Sequence, residues 1–254
     1  MTAQPLFPMM RLLLAFAPLL LATPLRAETA DAIAPVTPAQ CAHMRQHHVM
    51  NPGAPVPCER LRLVTFTHVG FDGAQHTGEL VVMDAVADDV LAIFAALRER
   101  SFPINSARLM DEFNGDDDAS TAANNTSSLN VRTVGATGQI SLHAFGAAID
   151  LNPLQNPYIV HYPDGRRRID PPHAGAYVSR RDIRPGMAEP VIDLFAQHGF
   201  VEWGGRWRGT IDYQHFQVGR GLAWRLAALS PADARALFAR HVERARAALG
   251  RRAP

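Results

Sequence analysis

The alternation of apolar and polar residues predicts a β-hairpin followed by a helix in the first half of the chain. Residues 61–69 are rich in β-branched side chains and partly alternate, which is typical of a strand. A turn over residues 71–78 and a returning strand over 79–83 complete the hairpin. Over residues 86–100 the apolar positions recur at helical spacing, with acids in the first turn and arginines in the last, as the helix dipole favours.

Short strands and two further helices are predicted for the second half. The expected strands cover residues 129–134, 146–150, 200–203 and 213–218. One expected helix covers residues 190–198, and a second begins after Ser230 and ends near residue 249. This mixture predicts an α+β fold in which an antiparallel sheet is flanked by helices.

Two segments lack a clear period. Residues 114–128 are polar and rich in turn formers, which predicts an ordered surface loop beside a functional site; the glycine and distal glutamate of a calcium loop are missing. Residues 158–184 are rich in proline and arginine, so they form either a flap over a groove or a poorly ordered excursion.

The N-terminal residues have the pattern of a secretory signal. Arg11 precedes an apolar run over residues 12–21, and the small residue Ala27 offers a cleavage site. Because the run is shorter than the roughly 20 residues of a membrane span, a retained anchor is the weaker alternative. We therefore predict a signal peptide over 1–27, a flexible Ala/Pro/Thr-rich tether over 28–40 and one domain over 41–254 with no stable membrane span.

Charge and cysteine content narrow the function classes. The formal net charge is +1, and removal of the signal with its two arginines leaves about −1, which gives no electrostatic reason to expect nucleic acid as a partner. Cys41 and Cys58 are the two cysteines, and in an exported chain they most simply form a disulfide. Two buried free thiols are the alternative.

Two segments together supply the donor set of a metal site. The first contains His143 and Asp150, and alternation would place Asp150 on a strand face shared with small residues. The second contains His215, preceded by Asp212, which reaches the same site only if it lies in the turn that enters the strand. Two imidazoles and one carboxylate are a common ligand set of catalytic zinc with one open position.

The alternative interpretation of the second segment is structural. Trp203, Trp207 and Phe216 would then be core aromatics, and Asp212 would cap a turn. From the residues alone, the metal site and this structural interpretation are about equally supported.

Three motifs resemble one known family. Ser-x-His-x-x-Gly-x-Ala-x-Asp at 141–150, Trp-Gly-Gly-x-Trp at 203–207 and Asp-x-x-His-Phe at 212–216 are similar to those of the D-alanyl-D-alanine carboxypeptidase and L-alanyl-D-glutamate endopeptidase family of zinc peptidases. VanX- and VanY-like dipeptidases and proteins with the hedgehog-type fold are its relatives. The resemblance covers residues from about 102 to 216, with a motif core of about 102–218.

The resemblance implies a role for each matching residue. The implied zinc ligands are His143, Asp150 and His215. Asp212 matches the catalytic base, and Arg132 the arginine that polarises the scissile carbonyl, although Val131 stands where the family often has cysteine. Ser141 and Trp203 are the implied substrate-binding residues.

The implied function is hydrolysis of peptidoglycan stem peptides by an exported, periplasmic or cell-envelope zinc peptidase. D-Ala-D-Ala carboxypeptidase activity is the first expectation, and L-Ala-D-Glu endopeptidase activity is the alternative within the family. A metal-binding wall module without catalysis and a purely structural secreted domain are the alternatives from other classes.

Overall fold

A computed structural model describes residues 1–2, 31–135 and 138–251 of the chain. The predicted signal peptide, apart from its first two residues, lies outside this range. The strands are β1 Ala32–Pro35, β2 Leu61–Val69, β3 Gln75–Met83, β4 Thr133–Val134, β5 Gln139–Ile140, β6 Ala148–Asp150, β7 Tyr158–His161, β8 Arg167–Asp170, β9 Glu202–Trp203, β10 Thr210–Asp212 and β11 His215–Gln217. The helices are α1 Pro38–Gln46, α2 Ala87–Glu99, α3 Asp117–Ala122, α4 Ile192–Gln197, α5 Arg220–Ala228 and α6 Pro231–Gly250.

The fold is α+β, but its strands form several small antiparallel sheets and not one. Within the described ranges the sheet orders are β1-β2-β3, β10-β7-β8, β6-β11-β9 and the pair β4-β5. The prediction of one sheet is therefore wrong, while the α+β class is confirmed. The strands outside the first sheet are each two to four residues long.

The hairpin and helix predicted from periodicity are present and form one side of the core. β2 pairs with β3 along its whole length, and the returning strand begins four residues earlier than predicted. α2 packs on this sheet, where Phe66 and Phe94 stack with ring centroids 3.9 Å apart. Both side chains are fully buried, so this contact anchors the helix to the sheet.

The prediction of a flexible tether over 28–40 is wrong for residues 31–40. Here β1 adds an antiparallel edge strand to β2, and α1 begins at Pro38 with Thr37 in a capping box. Asp31 forms an ion pair of 2.7 Å with Arg98 of α2. Alanine, proline and threonine lack apolar periodicity, but an edge strand and a capped helix start tolerate all three.

The polar segment over residues 114–128 is largely exposed in its first part and buried over 124–128, so the expected surface loop is only partly correct. It contains α3, and Asn125, Thr126 and Ser127 are at most 6% exposed. The amide and carbonyl of Ser127 each hydrogen-bond Asp150 at 3.0 Å, so the segment lies against β6. The expected position beside the functional site is correct, and these backbone and side-chain hydrogen bonds make the burial of polar residues possible.

Residues 158–184 form an ordered segment. β7 and β8 form a hairpin, and β7 also pairs with β10 in the register Asp212↔Tyr158. Arg180 secures the later part, because its guanidinium binds the Glu189 carboxylate, the Asn156 side chain and two carbonyls. Of the two alternatives, a poorly ordered excursion is wrong.

The remaining predictions concern the disulfide and the helices. Cys41 and Cys58 form a disulfide, as expected. The helix predicted at 190–198 is present over Ile192–Gln197, and α6 begins after Ser230, whose side chain accepts a hydrogen bond from the Asp233 amide. α5 was not predicted. Among the described residues, none of the helices is both long and apolar enough to cross a bilayer.

Candidate metal centre and cleft

Three predicted ligands converge because of strand register and a tight turn. β11 pairs with β6 so that His215 stands opposite Asp150. His143 lies in a short 3-10 helix, Leu142–Phe145, directly before β6. Gly146 reverses the chain between them with φ of +60°, and a Cβ there would lie 2.7 Å from the backbone nitrogen of Met83. Glycine is therefore required at this turn.

The ligand atoms form a small triangle. His143 Nε2 lies 3.1 Å from His215 Nδ1 and 3.2 Å from Asp150 Oδ2, and His215 Nδ1 lies 2.9 Å from Asp150 Oδ1. The three residues are 2–6% exposed. Among the described residues, these three form the one cluster of three or more His, Cys, Asp or Glu side chains compact enough to hold a metal ion.

Hydrogen bonds on the outer nitrogens show that the cluster fits a cation. His143 Nδ1 lies 2.6 Å from the Ser128 carbonyl oxygen, and His215 Nε2 lies 2.8 Å from Gln217 Oε1. Because each oxygen requires a hydrogen on its nitrogen partner, the inner nitrogens carry lone pairs when the rings are neutral. Two lone pairs and a carboxylate in contact repel one another, and a metal ion between them removes that repulsion.

The electrostatics of the ligands agree with this fit. Burial acts to raise the pKa of Asp150, but the charges and hydrogen bonds of His143 and His215 outweigh it and hold the pKa well below its usual range. Burial likewise opposes protonation of His143, and the Asp150 carboxylate overcomes it and raises the pKa of that ring. Asp150 is thus held as a carboxylate that attracts positive charge.

Asp212 lies beside the cluster and is not one of its ligands. It is the last residue of β10, so the expected position in the turn entering β11 is nearly correct, but the residue belongs to a separate strand. It is 8% exposed, and its Oδ1 has no hydrogen-bond partner among the described residues. Burial, with a smaller contribution from the Asp150 charge, raises the pKa of Asp212 to about 7.

Gly204 explains the close packing around Asp212. A Cβ at Gly204 would lie 2.5 Å from the Asp212 carbonyl oxygen and 2.8 Å from its Cβ. No side chain fits there, so the first glycine of the Trp-Gly-Gly-x-Trp motif lets a short 3-10 helix, Gly204–Arg206, support β10.

Arg132 lines the same cleft as the cluster and Asp212. Its carbonyl oxygen accepts a hydrogen bond of 3.0 Å from the Ser141 amide, which ties it to the segment that carries His143. Its Nη2 forms an ion pair of 2.8 Å with Asp117, while its buried Nε has no hydrogen-bond partner within the described ranges. The strand predicted over 129–134 is present only as β4, and Arg132 directly precedes it.

In the described part of the chain, the buried side-chain atoms that lack hydrogen-bond partners all belong to residues that line one cleft. Its volume is about 580 Å³. Three buried side-chain atoms have no hydrogen-bond partner, namely Arg132 Nε, Asp212 Oδ1 and Gln214 Oε1, and all three residues line the cleft. Buried polar atoms without partners are costly, so their concentration here indicates a site prepared for a bound molecule. Gln214 was missed because a lone glutamine carries no sequence signal.

The two expected substrate-binding residues differ in position. Ser141 lines the cleft, and its hydroxyl accepts a hydrogen bond of 3.2 Å from the His143 amide, so it also fixes the start of the 3-10 helix. Trp203 is 9% exposed, packs near Phe216 and donates its Nε1–H to the Tyr213 carbonyl. It is not among the residues that line the cleft, and its contact with substrate stays a prediction. Trp207 lines the cleft instead.

A comparison with known proteins agrees with this geometry. The family model of D-alanyl-D-alanine carboxypeptidase matches residues 134–218, an interval that contains the three converging residues and Asp212. No curated protein and no solved structure matches the chain. Over residues 134–218 the chain is therefore similar to the D-alanyl-D-alanine carboxypeptidase family, the family that its motifs resemble.

Proposed function

We propose that this protein is a zinc-dependent peptidase that cleaves peptidoglycan stem peptides, with zinc held by His143, Asp150 and His215. The observation that carries the proposal is the convergence of two lone-pair nitrogens and a carboxylate, each within 3.2 Å of the next, inside a cleft. Among biological metals, zinc suits a buried site with two imidazoles, one carboxylate and an open position.

Asp212 is the general base in this proposal. When bound, zinc supplies a Lewis acid that lowers the pKa of water to about 7 and polarises the scissile carbonyl. The buried Asp212 carboxylate takes the proton of the attacking water and returns it to the leaving amine. Burial raises the pKa of Asp212 in the metal-free protein, and a carboxylate that holds its proton more tightly is a stronger base.

Arg132 stabilises the negative charge that develops on the carbonyl oxygen. Asp117 holds one end of its guanidinium and leaves the buried Nε–H without a partner in the cleft. A preorganised charged donor of this kind gains strength where water is excluded. Ser141, with its hydroxyl at the cleft, is the proposed contact to the substrate.

Three arginines line the cleft beside five aspartates, so a peptide carboxylate has candidate cationic partners there. Arg132, Arg168 and Arg220 line it, and guanidinium groups bind carboxylates in a planar, bidentate way. Stem peptides carry a terminal carboxylate, and the trimming of terminal D-alanine is the activity that the family description names. We therefore place D-Ala-D-Ala carboxypeptidase activity first and L-Ala-D-Glu endopeptidase activity second.

Export to the periplasm or cell envelope is part of the proposal. A disulfide forms and persists in oxidising compartments, and Cys41–Cys58 is such a bond. Peptidoglycan lies in the same compartment, which joins the location to the substrate.

A metal-binding wall module without catalysis is the second candidate. The metal cluster alone would suit it. The buried Asp212 carboxylate argues against it, because an unpaired buried acid costs stability and has no use in a passive site.

Mass spectrometry of purified muropeptides tests the proposal. We expect the zinc-loaded protein to release terminal alanine, and a chelator to abolish the reaction. Scission after L-alanine would select the endopeptidase, and stoichiometric zinc without any cleavage would select the wall module.

A further inference from the structure

A chain of hydrogen bonds leads from His215 to the protein surface. His215 Nε2 lies 2.8 Å from Gln217 Oε1, and Gln217 Nε2 donates to Glu202 Oε2 at 2.5 Å. Gln217 is 8% exposed, whereas Glu202 is exposed. The chain thus joins a buried imidazole to a carboxylate at the surface through one amide.

The strand register produces this chain. His215 and Gln217 are two residues apart in β11, so their side chains project from the same face. β11 also pairs with β9, and Glu202 stands directly opposite Gln217. The contact therefore depends on two paired strands and not on a flexible loop.

The direction of the hydrogen bonds is set at the Glu202 end. A carboxylate can only accept, so the Gln217 amide must turn its NH₂ toward Glu202 and its oxygen toward His215. That oxygen in turn requires a hydrogen on His215 Nε2. In the neutral ring the remaining nitrogen, Nδ1, is then the one that carries a lone pair toward Asp150 and His143.

We infer that Gln217 and Glu202 are positioning residues that fix the tautomer and orientation of His215 so that Nδ1 is offered to the metal; this rests on the proposed function of the cluster. The Ser128 carbonyl serves His143 in the same way, with the opposite nitrogen. The two histidines present different ring nitrogens, and each therefore needs its own outer acceptor. The Gln217 side-chain oxygen lies 2.8 Å from His215 Nε2, which ties the amide to that ring.

Gln217→Leu in the full chain is the first test. The change keeps the approximate size of the side chain and removes the acceptor. Outer acceptors of metal-bound histidines are typically worth about 10- to 100-fold in metal affinity, so we expect the zinc dissociation constant, measured by chelator competition, to rise by that factor. Glu243→Gln, at an exposed position of α6, is the control and should leave the constant unchanged.

The tautomer itself gives a second readout that a purely structural role would not move. In ¹⁵N-histidine NMR spectra the His215 Nε2–H should give a slowly exchanging signal, because it is buried and hydrogen-bonded. We expect this signal in the wild-type protein and in Glu243→Gln, and its loss in Gln217→Leu.

Exchanging the side chains of Gln217 and Glu202 separates the effect of hydrogen-bond direction on zinc binding from the effect of packing. Glu202→Gln lets the Gln217 amide adopt either orientation, so zinc binding should weaken, although less than in Gln217→Leu. The double variant Gln217→Glu with Glu202→Gln restores an acceptor toward His215 and a donor toward that acceptor. We expect it to bind zinc more tightly than Glu202→Gln alone, which is a non-additive effect of contacting residues.

Two results would overturn the inference. One is a zinc dissociation constant for Gln217→Leu within about twofold of wild type, well below the effect expected for an outer acceptor. The other is a double variant that binds zinc no better than Glu202→Gln. Both leave the proposed function intact if the wild type binds zinc and cleaves muropeptides, whereas a wild type that binds no zinc contradicts the proposed function as well.

Discussion

Replacement of Asp212 by asparagine should separate catalysis from metal binding. The two side chains have nearly the same shape, so the packing against Gly204 is preserved, but asparagine cannot take a proton from water. Asp212 lies beside the metal cluster without belonging to it, and zinc binding should therefore remain within a few-fold of wild type.

The expected loss of activity follows from its role as base. General acid–base catalysis contributes roughly 10²- to 10⁴-fold, so kcat for muropeptide cleavage by Asp212→Asn should fall by that factor while zinc content stays at one ion per chain. The loss corresponds to about 3 to 5 kcal/mol of transition-state stabilisation. Mass-spectrometric rates and metal analysis of the same samples provide the two numbers.

The same substitution should stabilise the chelator-treated protein at neutral pH. Asp212 has an oxygen without a partner, and its folded pKa of about 7 lies above the usual 3.8. The folded state therefore binds the proton more tightly than the unfolded state, so the carboxylate costs nothing below pH 4 and costs progressively more as the pH rises to 7. The difference between these pKa values corresponds to a cost on the order of 4 kcal/mol above pH 7, as an upper bound.

Urea denaturation at pH 4 and pH 7.5 measures this difference. We expect Asp212→Asn and wild type to be nearly equal at pH 4, and the variant to be more stable at pH 7.5. Loss of zinc from Asp212→Asn would make Asp212 a ligand, and unchanged kcat would remove it from catalysis. Either result would refute the division of roles between Asp150 and Asp212.

Further predictions concern glycines and the disulfide. Gly204→Ala should displace Asp212 and reduce kcat while zinc remains bound, whereas Gly146→Ala, with its positive φ and its contact to Met83, should lower both zinc affinity and the free energy of unfolding. Gly221→Ala in α5, where a Cβ meets open space, is the matched control and should leave both kcat and zinc affinity unchanged. Loss of the Cys41–Cys58 disulfide, which spans 17 residues, should reduce the free energy of unfolding by about 3 kcal/mol, measured with and without reductant; an equal stability in both conditions would contradict it.

Local sequence patterns were sufficient to predict a feature where the segment is long or where one motif contains several of the residues involved. β2 and α2 are 9 and 13 residues long and show their periods plainly. His143 and Asp150 lie seven residues apart in one motif, so a short turn and strand bring them together. These features depend on residues that are neighbours in the chain.

Features that depend on register or on tertiary hydrogen bonds could not be predicted. Nothing in the sequence marks Ser128 and Gln217 as hydrogen-bond partners of the histidines. These contacts form only in the folded chain, where β11 pairs with β6 and β9. Trp203 and Trp207 belong to one motif, and only the turn between them sends the first into the core and the second into the cleft. Asn125 is polar yet fully buried, because Arg108 and Ser120 satisfy its amide.

The most direct test of the central claim is diffraction from crystals of the zinc-loaded protein at the zinc absorption edge. We predict one anomalous peak per chain, within bonding distance of His143 Nε2, His215 Nδ1 and an Asp150 oxygen, with the Asp212 carboxylate outside bonding distance. Absence of a peak at this position, or a peak bonded to Asp212 in place of Asp150, would contradict the assignment of the metal centre.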